Sequence, residues 1–196
     1  MKLQLLIAFF LLLVNCVTYA QQPLPSDILR QPIVEGHEAA GISLGETGKG
    51  FFKKMGGLPQ LGGSGDTLRY ANIMDKEGKM NLYINVFLEN NSVIGVEIMS
   101  VPVIGLGHIY KGKTKKGFQF GDSVEKVKAL YGRPYKSAES INYAIHWYKK
   151  EGIIFQYFYL SEEGVGKWPT SIVILKPGQS IPKQVKEVGG PISEWD

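Results

Sequence analysis

The chain is poor in the residues that build covalent frameworks and metal centres. It has one cysteine, Cys16, and three histidines among 196 residues. Cys16 sits inside an apolar N-terminal run. If residues 1–20 are removed as an export signal, no cysteine remains, which excludes disulfides and thiolate metal sites. His37, His108 and His146 lie far apart, and none has a partner at the spacing a zinc site uses. Charge of one sign is also scarce: charged residues make up 20% and the net charge is +4. That balance argues against nucleic acid as a partner. Beyond residues 3–14 no stretch is apolar for long enough to span a bilayer.

What is present starts with that N-terminal run. Lys2 gives a positive start, Leu3 to Val14 is apolar except for Gln4, and Thr18-Tyr19-Ala20 has the form of a small-residue cleavage site. The expectation is a signal peptide over 1–20, a mature chain from Gln21 and an extracytoplasmic location, periplasmic or secreted. A lipid anchor on Cys16 is the alternative, and membrane association is expected only in that case. Residues 21–32 form an irregular lead-in with Pro23, Pro25 and Pro32.

The rest of the chain repeats a pattern. Gly117-Phe118-Gln119-Phe120-Gly121-Asp122-Ser123 matches Gly41-Ile42-Ser43-Leu44-Gly45-Glu46-Thr47, 76 residues earlier. After the later copy, Val124, Val127, Leu130 and Tyr131 share one helix face. Asp122 is the expected cap, with Glu125 three residues on, and Gly132 and Pro134 end the helix. The earlier helix is expected from about Gly48 to Met55, with Phe51, Phe52 and Met55 inward. Strands are expected at Thr67–Met74, Lys79–Leu88, Val93–Met99, Ser140–Tyr148, Ile153–Leu160 and Thr170–Leu175. Polar turns holding Gly or Asn separate most of them. The expected fold is α+β, with two tandem units at 33–102 and 103–176. Each carries a short helix on a three- to four-stranded antiparallel sheet; the sheets are separate or joined, and one face is open. Residues 177–196, rich in Pro and Gly, form a tail. Charge divides unevenly: 33–102 holds six Lys/Arg and eight Asp/Glu, and 103–176 holds twelve and six.

The G-x-x-x-G-[DE]-[ST] entry, the short helix ending in G-L-P or G-x-P and the 76-residue period resemble the β-lactamase inhibitor protein-like fold. Each unit is similar to the small outer-membrane assembly lipoproteins of the BamE type. The resemblance covers about residues 33–176 and implies an exported module that binds another protein through its sheet. The chain departs from the inhibitor in having no disulfide cysteines after the signal, and from the BamE type in having two units and no convincing lipobox.

Catalytic patterns are weak. Gly107 to Thr114 satisfies the phosphate-loop expression G-x-x-x-x-G-K-[ST], but Lys115-Lys116-Gly117 follows where a helix is required. Ser64 lacks the second glycine of a nucleophile elbow, and Glu162-Glu163 has no apolar surroundings to raise a carboxyl pKa. No catalytic residue, metal ligand, nucleotide or other cofactor is expected. The expected site is an aromatic partner-binding face: Tyr83, Phe87, Tyr143, Trp147, Phe155, Tyr157 and Tyr159. The expected function is a non-enzymatic binding or inhibitor-like module of unknown target. A structural or assembly protein of the envelope is the alternative, and an enzyme of unknown type is third.

Overall fold

A computed structural model of the chain describes residues 26–56, 66–73, 80–102, 108–140, 143–158 and 168–187, with 192 and 195. The signal segment with Cys16, Ser64 and Glu162-Glu163 lie outside the described residues. After a 3-10 turn at Ile28–Arg30, the elements are β1 (Glu38–Ala39), β2 (Ile42–Ser43), α1 (Gly48–Lys54), β3 (Thr67–Ile73), β4 (Met80–Glu89) and β5 (Ser92–Ser100). Then come α2 (Val124–Tyr131), β6 (Lys136–Glu139), β7 (Tyr143–Tyr148), β8 (Ile153–Phe158), β9 (Ser171–Leu175) and α3 (Lys183–Glu187).

Local chemistry explains several of these bounds. Asn90 and Asn91 both take positive φ, 49° and 60°, the combination that closes a two-residue hairpin between β4 and β5. The α2 helix is capped one residue later than expected. The Lys126 N–H donates to Ser123 Oγ at 3.2 Å, while Asp122 accepts from the Gln119 N–H at 2.8 Å and pairs with Lys126 Nζ at 2.9 Å. Asp122 therefore braces the turn before the helix, and Ser123 closes the helix itself. Val127 and Tyr131 are buried, and Gly132 at φ 75°, ψ −146° ends the helix in a conformation few other residues adopt.

Two tandem helix-on-sheet units are not what the chain forms. The main strands make one seven-stranded antiparallel sheet in the order β3-β4-β5-β9-β8-β7-β6, with β1 and β2 as a separate pair. The β5 and β9 strands bond edge to edge, from Gly95 opposite Leu175 to Met99 opposite Ser171. Val96, Ile98, Ile172 and Ile174 on this seam are fully buried, so a single apolar core runs from Phe51 of α1 to Val127 of α2. Helices of seven and eight residues are too short to enclose separate cores, and pooling their faces on one sheet removes more apolar surface from water. The amino-terminal strip locks in as well: the Ile33 N–H donates to the Lys113 carbonyl at 2.9 Å.

The second face of the sheet is not open over its β6–β9 end either. Ile181, Val185, Ile192 and Trp195 of the carboxyl-terminal segment are buried there against Phe87, Ile145, Trp147, Ile154, Val173 and Leu175. Six large apolar side chains on one sheet face would be costly in water, and the tail supplies the missing layer.

Candidate functional site

Strand alternation separates the seven aromatic residues expected to form a site. Phe155 and Tyr157 point to the helix-covered face and are fully buried. Phe155 packs edge-on against Phe118 at 4.9 Å and Tyr131 at 5.1 Å. Phe87, Trp147 and half-buried Tyr143 belong to the opposite face, beneath the tail. Tyr83 is half-buried, with the Arg69 guanidinium 5.6 Å from its ring centre. Tyr159 lies outside the described residues. The structure thus brings Phe87, Tyr143 and Trp147 to one face and turns Phe155 and Tyr157 away from them.

One aromatic side chain outside that set reaches solvent. Tyr135 is 65% exposed, the exposed large hydrophobic side chain among the described residues. Gly132 stops α2, Pro134 prevents its continuation, and the Tyr135 N–H donates to the Trp147 carbonyl at 2.7 Å. The Tyr135 ring meets Trp147 edge-on at 5.1 Å, and Trp147 lies 6.1 Å from Trp195. Lys149 Nζ stands over Tyr135 at 5.1 Å and over Trp147 at 5.3 Å, and Lys136 Nζ over Trp195 at 5.3 Å. A ring held by a buried Trp and a cation presents contact area with little rotamer freedom left to lose. The signal for Tyr135 was in the sequence: an aromatic residue directly after Gly-x-Pro, between Arg133 and Lys136.

Several other polar groups are bonded within the fold. Glu97, 5% exposed, accepts from Asn85 Nδ2 at 2.6 Å and Ser171 Oγ at 2.7 Å, and Asn85 Oδ1 accepts from Arg69 Nε at 2.8 Å. The phosphate-loop motif is used differently. Thr114 is buried, its hydroxyl accepts from the Phe118 N–H at 3.0 Å and lies 2.8 Å from Tyr131 Oη, and the next helix begins ten residues on, at Val124. Tyr131 Oη also lies 2.6 Å from a Glu35 carboxylate oxygen. Burial, reinforced by that carboxylate, pushes the Tyr131 phenol far above its ordinary range. Tyr148 is pushed up to about 12 by burial.

The two buried histidines are held below their ordinary value. For His108, whose Nδ1 lies 2.8 Å from the Ser100 carbonyl oxygen, desolvation outweighs that hydrogen bond. For His146, desolvation leads and Lys128 adds to it. His146 Nδ1 and the Tyr157 hydroxyl are buried without a hydrogen-bond partner, with their rings 5.0 Å apart. Among the described residues no group of three or more His, Cys, Asp and Glu side chains could hold a metal ion. A cleft of about 320 Å³ lies beside the amino-terminal turn, lined by Asp27, Ile28, Gln31, Glu38, Ala40, Gly41 and Lys54. Two of its charged groups are engaged: Lys54 Nζ pairs with Glu46 at 3.0 Å, and Glu38 accepts from Ser43 Oγ at 2.9 Å.

No protein-family model and no curated protein matches the chain. Among solved structures, one match is to a cysteine-rich secretory protein from Staphylococcus aureus, at 14% identity and TM-score 0.41, over 75% of this chain and 48% of that one. Another is to an extracellular protein containing an SCP domain from Bacillus anthracis, at 11% identity and TM-score 0.38, over 74% of this chain and 53% of that one. The chain spans about half the length of each. Neither is described as a β-lactamase inhibitor or an assembly lipoprotein. Likeness at this level leaves the fold to stand on its own topology. No helix among the described residues is long and apolar enough to cross a membrane.

Proposed function

We propose that this chain is an exported, non-enzymatic module that binds another protein. The observation that carries the reading is Tyr135, 65% exposed where the other large hydrophobic side chains among the described residues are covered, and backed by Trp147 and Lys149. A large ring standing on a rigid base is the form an interface anchor takes, because little conformational entropy is lost when it is covered. Export rests on the Lys2, Leu3 to Val14 and Ala20 pattern, which has the order of a secretory signal. The test is to immobilise the mature chain from Gln21, expose it to the extracytoplasmic fraction of its source cells and identify what is retained. One protein enriched on the wild-type chain and lost on Tyr135→Ala is the expected result. Equal retention by both chains would overturn Tyr135 as the anchor.

A further inference from the structure

Four separate segments converge at the end of the sheet whose Lys149 stands over Tyr135. The Glu35 carboxylate accepts from the Lys115 and Lys116 N–H groups at 3.3 and 3.4 Å. Lys116 Nζ pairs with Glu151 at 3.2 Å. A side chain at Gly36 would run into Pro177 and the Glu151 carbonyl, so these backbones abut. The Gly178 N–H donates to the Lys149 carbonyl at 2.8 Å. The result is that Lys115, Lys149, Lys150 and Lys176 gather at one end of the sheet, with Arg133 two residues from Tyr135. Lys115, Arg133, Lys150 and Lys176 are exposed, and Lys149 is half-buried against the rings. The two acids that reach this end, Glu35 and Glu151, are both occupied: Glu35 by Tyr131 and two amides, Glu151 by Lys116. Part of the positive charge of the carboxyl-terminal half is therefore gathered at one end of the sheet, where Lys149 Nζ reaches the exposed Tyr135 ring.

Resting on the binding-module reading, we infer that this corner docks an acidic segment of a protein, with Tyr135 as the apolar anchor and the lysines and Arg133 as a cationic rim. Charge complementarity sets the sign of the partner. The aromatic geometry sets its class. Trp147 and Trp195 are 2% and 4% exposed, so the corner offers one ring rather than a row. A single anchor inside a charged rim suits a protein contact, where one side chain fills a small desolvated spot. Single-stranded nucleic acid is held by successive exposed rings, and a bilayer surface by a broad apolar face. Neither is present among the described residues.

The test uses the mature chain from Gln21 and fluorescently labelled synthetic peptides of equal length, each with a central Leu or Tyr and flanks of Glu, Ser or Lys. Heparin and vesicles of mixed neutral and anionic phospholipid are run in parallel. The Glu-flanked peptide should bind tightest and weaken as salt is raised. Reversing the exposed rim, as Arg133→Glu, Lys150→Glu and Lys176→Glu together, should weaken it by about tenfold or more. Tyr135→Ala should weaken it by about tenfold while leaving its salt dependence unchanged. Thermal melts of both variants should match the wild type, since all four positions are on the surface. Equal binding of acidic and neutral peptides would overturn the inference, as would tighter binding to heparin or vesicles. If a native partner is captured through Tyr135 but survives the charge reversals, the binding module stands and the acidic-segment assignment falls.

Discussion

The two faces of the sheet are covered by different means, the second over its β6–β9 end. On one face α1, α2 and the strips around Phe118 and Phe120 build a core of aliphatic and aromatic side chains at or near zero exposure. On the other, a short carboxyl-terminal segment covers six apolar residues, and the polar group Arg69–Asn85–Glu97–Ser171 lies on the same face. The first face is assembled from elements that each make local hydrogen bonds. The second depends on a five-residue helix and the last residues of the chain. On the proposed binding reading, stability and recognition are divided between the faces. The helix-covered side holds the fold, and the tail-covered side ends in the corner where Tyr135 emerges.

The sharpest way to break this comparison is a cavity on the helix-covered side. Phe155→Ala removes a ring that touches Phe118, Tyr131 and Tyr148, and should lower unfolding free energy by about 3–5 kcal/mol in urea titrations. Trp195→Ala should cost less, about 2 kcal/mol, because a terminal segment opens locally before the whole protein unfolds. Its signature would be brighter exposure of Trp147 to a fluorescence quencher, with β8 and β9 amides still protected from exchange. A fall as large as that of Phe155→Ala would mean that the tail is part of the main core.

Acid should act on the helix-covered side. His146 faces Lys128 from α2, Glu139 from β6 and Tyr157 from β8, while His108 lies against Ser100, Phe120 and Lys111. Burial lowers both pKa values in the folded chain, so the unfolded chain takes up protons first as pH falls. Their contribution to stability is complete above the unfolded value of about 6.5 and is lost as pH drops from there towards the folded values. Urea midpoints should therefore hold steady from mildly alkaline to neutral pH and then decline. His146→Gln should flatten the decline, and an unchanged slope would show that His146 is not protonated in this range.

Much of this was legible in the sequence, and the failures have particular causes. Helix α1, helix α2 and the six longer strands follow from side-chain period and from turn residues such as Asn90-Asn91. The joining of the two sheets was open in the sequence but undecided, because an edge-to-edge seam such as β5 with β9 is written in apolar residues that equally suit two separate sheets. β6, Lys136–Glu139, is four residues of alternating exposure with no apolar run to mark it. The cap moved from Asp122 to Ser123 because Asp122 found a better partner in the Gln119 N–H. Alternation along β7 and β8 divides their aromatic residues between two faces. It did not show that the tail would cover one of them, since Ile181, Val185, Ile192 and Trp195 carry no regular period. Tyr135 was missed because it stands outside both strands, in the turn that joins α2 to β6.

The division of labour is tested most directly by measuring two quantities on Tyr135→Ala: its unfolding midpoint and its retention of the protein captured by the wild-type chain. The expected result is an unchanged midpoint, within about 0.5 kcal/mol as for other surface substitutions, together with lost capture. A lowered midpoint with capture intact would make Tyr135 a structural residue and contradict the account.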